Sequence, residues 1–307
     1  MLHFSSPFVS VIIPVFNDAS RLKICLEALE KQTYQKSLYE VIVVDNASEL
    51  QENIAGVVAQ FPQAISAYES LPGSYAARNK GLSLATGEVI AFTDADCIPA
   101  PDWIEKGVKN LLQVPNCGLV AGQINIFCKN PHQGTPVELY ERILSLPQKE
   151  FLEKHHYGAT ANVFTWKSVI EKVGYFDATL KSSGDLEWGQ RVHSWGYKQI
   201  YAEDTYVAHP ARYSFQQLYK RIIRLAGGFY DLRIRKEPSF LKRNQIYFKN
   251  LFITLIPPIM WIISAFLNKE LKKINDKLKV ACVMVFVRYV YAWEIIRLKL
   301  GSVSARE

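Results

Sequence analysis

The sequence lacks the signatures that assign several common functions. Its five cysteines, Cys25, Cys97, Cys117, Cys128 and Cys282, are scattered and form no Cys-x-x-Cys pair. That argues against a disulfide scaffold or a zinc ribbon and suits a reducing compartment. The six histidines include no His-Glu-x-x-His, and no Gly-x-Gly-x-x-Gly follows any β-like run, which disfavours a zinc protease and a dinucleotide-dependent dehydrogenase. No internal repeat or low-complexity tract is visible. The opening MLHFSSPFVSVIIPVFND has no basic leader, and Pro14 and Asn17 break its apolar run. It reads as a first strand and not as a signal peptide. From Asn250 to Asn268 there is no charged residue at all.

What is present is a folding composition. Of 307 residues 49% are hydrophobic and 21% charged, enough for one large α/β domain or two smaller ones. The net charge of +7 is unevenly divided. Residues 211–307 hold 19 basic and 6 acidic side chains, whereas residues 1–210 hold 17 and 23. A nucleic-acid-binding fold would carry its positive charge on the recognition domain itself, so no nucleic acid is expected as a partner.

The first 100 residues alternate between β-branched runs at 8–15, 40–45 and 88–93 and helical patterns at 19–31 and 74–85. Strands alternating with helices imply crossover units and a mostly parallel sheet. Each strand ends in a polar residue: Asn17, Asp45, then Asp94 and Asp96. Ligands of open α/β sheets bind at that carboxyl rim. Further on, the pattern predicts helices at 102–113, 136–150, 166–172 and 184–196 and strands at 117–127, 159–165 and 198–206.

The strongest local signal is FTDADCIP at 92–99. Two carboxylates one residue apart at a strand exit are hard oxygen ligands suited to Mg²⁺ or Mn²⁺, which can neutralise a diphosphate. A solvated turn with an Asp cap is the plainer alternative. The surrounding motifs are VSVIIPVFND (9–18), VIVVDNAS (41–48), the Ala-Arg-Asn-x-Gly helix at 77–81, VGYFD (173–177) and SSGDLEWGQRVHSWGY (182–197). In this order and spacing, over about residues 8–210, they resemble the family 2 glycosyltransferases.

The resemblance implies an α/β, GT-A (Rossmann-like), mostly parallel sheet flanked by helices. It also implies inverting transfer of a sugar from a nucleotide-diphosphate sugar, a uridine diphosphate sugar being the first expectation. Pro14, Phe16 and Asn17 would line the base pocket, Asp45 would bond the base with Arg78 beside it, Asp94 would meet the ribose, and Asp96 would bind Mg²⁺ or Mn²⁺. Inversion needs one carboxylate to take the acceptor's proton. Asp185 aligns with that general base, and Glu187 is the alternative or an acceptor contact; helix capping by both acids is the bland reading. His209, in VAHP, is a second metal ligand or a structural hydrogen-bonder. Asn162 is a weaker candidate for a sugar contact, Trp188 and Trp195 are assigned to the core, with sugar stacking the alternative for Trp188, and His155-His156 to structure.

Residues 1–211 are thus read as the catalytic domain, with a nucleotide-binding half (about 1–100) and an acceptor half (about 101–211), and 212–307 as a basic helical and apolar tail. Lys220, Arg221 and Arg224, on a helix at 212–236 containing Gly227-Gly228, would line the active-site mouth, face anionic lipid heads, or form a solvated face. The Asn250–Asn268 run, kinked by Pro257-Pro258, and the shorter run from Val280 to Trp293, interrupted by Arg288, suit either spanning helices or helices lying among lipid heads. A soluble helical cap or dimer interface is the alternative. The expected place is the cytoplasmic side of the cell membrane, with a saccharide or lipid-linked acceptor as in polysaccharide biosynthesis. The absence of the processive synthases' Gln-x-x-Arg-Trp favours one sugar per encounter. A sugar nucleotidyltransferase, or a non-catalytic membrane-associated scaffold, are the rival readings; the first lacks its Gly-rich loop, since VFND occupies that position.

Overall fold

The structure is a computed structural model and describes residues 6–130 and 133–305. Its strands are β1 (Val9–Val15), β2 (Tyr39–Asp45), β3 (Ala64–Tyr68), β4 (Val89–Thr93), β5 (Ile98–Pro99), β6 (Cys117–Phe127), β7 (Asn162–Trp166) and β8 (Lys198–Pro210). Its helices are α1 (Ala19–Glu30), α2 (Ile54–Val58), α3 (Ser74–Leu84), α4 (Trp103–Gln113), α5 (Pro136–Leu144), α6 (Gln148–His155), α7 (Lys167–Val173), α8 (Gly184–Ser194), α9 (Phe215–Phe229), α10 (Phe240–Leu255), α11 (Ile259–Leu267) and α12 (Ile274–Lys299).

Eight strands among the described residues form one sheet in the order β3-β2-β1-β4-β7-β6-β8-β5. The pairs among β1 to β4 are parallel. The β4–β7, β6–β7 and β5–β8 pairs are antiparallel. The sheet is therefore mixed, which corrects the expectation of a mostly parallel one. Apolar runs report burial on both faces of a strand but carry no direction. The long predicted helix at 136–150 is two helices, because Pro147 cannot continue α5 and Leu146 turns at φ 52°.

The parallel half puts the ends of β1, β2 and β4 on one rim. Val9 to Ile13 and Val41 to Val44 are all buried, and helix α3 lies against them. A Cβ on Gly81 would come within 2.5 Å of Ile12 Cγ2, so the glycine of the Ala-Arg-Asn-x-Gly motif sets how closely α3 sits on β1. Asn79 of the same motif bonds the backbone of Phe176 twice, accepting its N–H (3.1 Å) and donating to its carbonyl (2.8 Å). The Phe176 ring then packs among Tyr75, Phe92 and Trp188, with centroids at 5.8, 5.4 and 5.2 Å. Each such aromatic pair contributes about 0.5–1.5 kcal/mol beyond its buried area.

The chain divides into two compact units. The first comprises residues 1–125, 146–179 and 184–209, and the second residues 126–145, 180–183 and 210–307. The composition boundary near 211 sits close to the last crossing. The two short segments that join the second unit carry no compositional mark. Within that unit Arg221 Nη1 lies 2.9 Å from the buried Glu141, and Arg212 lies 3.3 Å from it. Arg221 thus answers a buried carboxylate. Lys220 is exposed and Arg224 half-buried. The basic helix itself ends at Phe229 and passes into a π-turn over Tyr230–Arg235.

Candidate active site

At the end of β1, Pro14 lies within the strand beside Val44 of β2, and Phe16 follows with its ring 46% exposed. Asn17 turns sharply at φ 49°, a conformation that Asn tolerates better than most side chains. Its N–H donates to Ser48 Oγ (2.9 Å), and its side-chain oxygen accepts from the Glu49 N–H (2.8 Å). Asp45, at the end of β2, accepts from the Ser48 N–H (2.9 Å). Asn17 therefore stitches the two rim loops together, while Phe16 presents an apolar face beside Asp45's strand end. Asn46 holds the next loop, donating to the Glu69 and Leu71 carbonyls and accepting from the Gly73 N–H.

After β4, Asp94 takes a 2.5 Å ion pair from Arg78, whose guanidinium is buried on α3. The Cys97 N–H closes a turn on the Asp94 carbonyl (3.0 Å). The two-residue β5 then pairs with β8 so that Ile98 faces Ala208 and Pro99 faces Val207. Continuing that antiparallel register sets His209 across from Cys97. His209 Nε2 accordingly lies 3.6 Å from Asp96 Oδ1, and Asp96, Cys97 and His209 form a compact donor cluster.

The donor chemistry narrows this cluster. Burial, with Asp96 and Asp94 adding their charge, pushes the Cys97 thiol far above its usual range, and its sulfur points at the Ala161 carbonyl (3.9 Å). Asp96 and His209 offer a carboxylate and an imidazole, a mixed set that would suit Mn²⁺ better than the all-oxygen preference of Mg²⁺. Arg21, half exposed on α1, reaches Asp96 Oδ2 at 3.6 Å and Asp18 at 2.7 Å. Burial raises the Asp18 carboxyl above its ordinary range against the lowering effect of Arg21.

On the acceptor side, Asp185 stands in the first turn of α8, where the helix dipole favours a carboxylate. Its Oδ1 accepts from the Leu186 N–H (2.9 Å) and from the Tyr75 hydroxyl (3.3 Å). A Cβ on Gly184 would meet the Tyr75 ring at 2.7 Å, which explains why no side chain precedes Asp185 here. Glu187 is placed differently: Arg191 grips both its oxygens, at 2.7 and 2.9 Å, and ties them to the Val173 and Tyr175 carbonyls.

Two weaker candidates become structural. Asn162 is fully buried, accepting from the Trp103 indole and donating to the Gln123 and Thr205 carbonyls. Trp188 is buried too, its indole donating to the Gly174 carbonyl (3.0 Å), so it stacks on no sugar. Trp195 lies beyond the end of α8 and is exposed under Lys172, contrary to its assignment to the core.

Comparison with known proteins gives the family and the fold. Residues 10–174 match the profile of Glycosyl transferase family 2. The chain belongs to that family. It is 40% identical over 227 residues to Glycosyltransferase AglE of Haloferax volcanii, covering 72% of this chain and 73% of that protein. It is 30% identical over 235 residues to a pre-mycofactocin glycosyltransferase of Mycobacterium tuberculosis, covering 74% of this chain but 48% of that protein. Among solved structures, a mannosyltransferase from Pyrobaculum calidifontis, in complex with GDP-Man and Mn²⁺, matches with a TM-score of 0.64 at 20% identity over 96% of this chain and 87% of its own. That likeness shows the shared GT-A fold.

The candidate site of this glycosyltransferase contains two residues that the sequence did not single out, Arg21 and Tyr75. Asp18 and Arg21 at i and i+3 were a readable signal; Tyr75 gave none. Tyr75 joins the two sides of the site: the Arg78 guanidinium lies 5.7 Å over its ring, and its hydroxyl reaches Asp185. Tyr75→Phe keeps the ring and removes a donor to the ionised carboxylate. If Asp185 takes the acceptor proton, the acid limb of the transferase's pH–rate profile is expected to move to higher pH, with the melting temperature little changed. A profile that stays in place would show that the hydroxyl plays no part in setting Asp185.

Proposed function

We propose that this glycosyltransferase moves a single sugar, with inversion, from a nucleoside diphosphate sugar to a saccharide or lipid-linked acceptor at the cytoplasmic face of a membrane. The observation that carries the reading is the contact path from donor rim to base: Asp94 to Arg78 (2.5 Å), Arg78 over Tyr75 (5.7 Å), Tyr75 to Asp185 (3.3 Å). It places one carboxylate pair at the strand exits and another, separately held carboxylate at the start of α8.

Phe16 offers its ring to the nucleotide base and Asp45 its carboxylate to the base edge, with Pro14 and Asn17 shaping the loops behind them. Asp94, aligned by Arg78, is positioned for the ribose. Asp96 and His209 would hold a divalent cation, Mn²⁺ in preference to Mg²⁺, which when bound would neutralise charge on the departing diphosphate. Asp185 accepts the proton of the attacking hydroxyl as the new carbon–oxygen bond forms and the bond to the diphosphate breaks, so the anomeric carbon inverts in one displacement. Glu187 holds Arg191 and leaves that role to Asp185.

The test is a donor screen. Uridine and guanosine diphosphate sugars are incubated with Mn²⁺ or Mg²⁺, and both turnover and the shift in melting temperature are read. A mannose or glucose donor that is turned over and stabilises the protein supports the reading. No response to any nucleoside diphosphate sugar, with either ion, overturns it.

A further inference from the structure

Helices α10 and α11 carry an apolar surface that the fold does not cover. On α10, Tyr247, Leu251 and Thr254 face inward at helical spacing. The adjacent row is apolar as well, with Phe248 and Phe252 exposed, Phe252 at 69%. On α11 almost every side chain is apolar, and Met260 and Leu267 are 77% and 76% exposed. A helix that is hydrophobic around its whole circumference needs an apolar medium on its outer side. No single helix among the described residues is long and apolar enough to cross a bilayer; α10 and α11 reach that length only together, bent by 46° at Pro257-Pro258.

Several polar groups of this stretch are closed off in the way that such a medium demands. A helix end leaves its last carbonyls without intrahelical partners, and at an ordinary surface water supplies them. Here cations from α12 do so. Arg288 donates to the Ile253 and Ile256 carbonyls at the end of α10 (2.9 and 3.1 Å), and Lys277 donates to the Phe266 carbonyl at the end of α11. The hydroxyls follow suit: Thr254 bonds the Asn250 carbonyl (2.8 Å) and Ser264 the Trp261 carbonyl (2.7 Å). Arg288, which interrupts an apolar run in the sequence, thereby gains a reason: it caps the break. Within hydrocarbon, a kinked helix survives only where its freed carbonyls find such partners.

Charge fixes the orientation. The uncharged stretch is bracketed by exposed lysines, Lys242 and Lys249 before it and Lys269, Lys272 and Lys273 after it; Glu270, the acid among them, faces Arg142. Cations at both ends and none between suit a segment whose middle is immersed and whose ends meet anionic headgroups.

The geometry points to α10 and α11 as a bent wedge that lies in one leaflet of an anionic bilayer, with its kink capped by Arg288, and does not cross to the far side. This deepens the membrane-face reading above and is independent of the catalytic assignments. The experiment floats the full-length protein with vesicles of phosphatidylcholine alone or with about 30% phosphatidylglycerol. Wild type is expected to float with the anionic vesicles and to show Trp fluorescence quenched by brominated acyl chains, a signal lost in Trp261→Phe. Phe252→Asp/Met260→Asp is expected to lower partitioning at least roughly tenfold, and Lys269→Glu/Lys272→Glu/Lys273→Glu to abolish the preference for anionic lipid. Turnover of the best donor with a water-soluble acceptor is measured alongside and should be unchanged in both variants, so a failed wedge and a failed catalytic reading are told apart. If the aspartate variant misfolds, the wild-type quenching decides alone. Wild type that stays unbound overturns the inference. So does a detergent-free dimer that the aspartate pair converts to monomer, since a second copy then covers the face.

Discussion

Asp185→Asn is expected to lower kcat by about 10²–10⁴-fold, the usual worth of a positioned general base, with donor affinity little changed. The substitution is close to isosteric. The amide oxygen can still accept from the Leu186 N–H and the Tyr75 hydroxyl, so geometry is retained and only the capacity to take a proton is lost. Glu187→Gln is the companion. It weakens a bidentate clamp on Arg191 that pins the segment before α8, so its effect should fall on the melting temperature before it falls on turnover. Near-normal turnover in Asp185→Asn, with intact melting, would remove Asp185 from the mechanism, and a collapse of turnover in a well-folded Glu187→Gln would transfer the role.

Asp96→Asn is expected to abolish most cation-dependent transfer. Charge stabilisation at a leaving group contributes several kcal/mol, and each 1.4 kcal/mol or so is tenfold in rate, so a loss of about 10³-fold or more follows. His209→Asn should be milder and more informative, because it turns a mixed nitrogen and oxygen donor set into an all-oxygen one. The ratio of Mn²⁺-supported to Mg²⁺-supported turnover should fall. An unchanged ratio, read by titrating each ion against each variant, would remove His209 from the ligand set.

The parts of the fold legible in the sequence were those written in long local patterns. The strands β1, β2 and β4 show as short runs rich in Val and Ile because they are buried on both faces. β3, with its half-exposed AISAY at the sheet edge, has no such run, and β5 spans two residues. That short strand matters most for the site. The proximity of His209 to Asp96 follows from the β5–β8 register, and a ladder this brief leaves no periodicity to read. Strand direction was equally hidden, so the antiparallel half went unseen. Pairings between distant residues account for the remaining surprises: Arg221 with Glu141, Asn79 with Phe176, Asn162 with three partners. The Glu187–Arg191 ion pair, at a spacing of four on one helix face, stands where the sequence had offered Glu187 as an alternative base, an acceptor contact or a helix cap.

The path through Arg78 and Tyr75 has a consequence for anyone redesigning the enzyme. One buried guanidinium pairs with Asp94, proposed for the donor's ribose, and also lies over the ring whose hydroxyl touches Asp185, the proposed proton acceptor. On that proposal donor choice and proton transfer share a support. A library aimed at a new nucleotide sugar should randomise Phe16 and the loop after Asp45, which lie on the proposed donor side, and leave Arg78 alone, because on this proposal altering it would degrade the old activity before any new one could be selected.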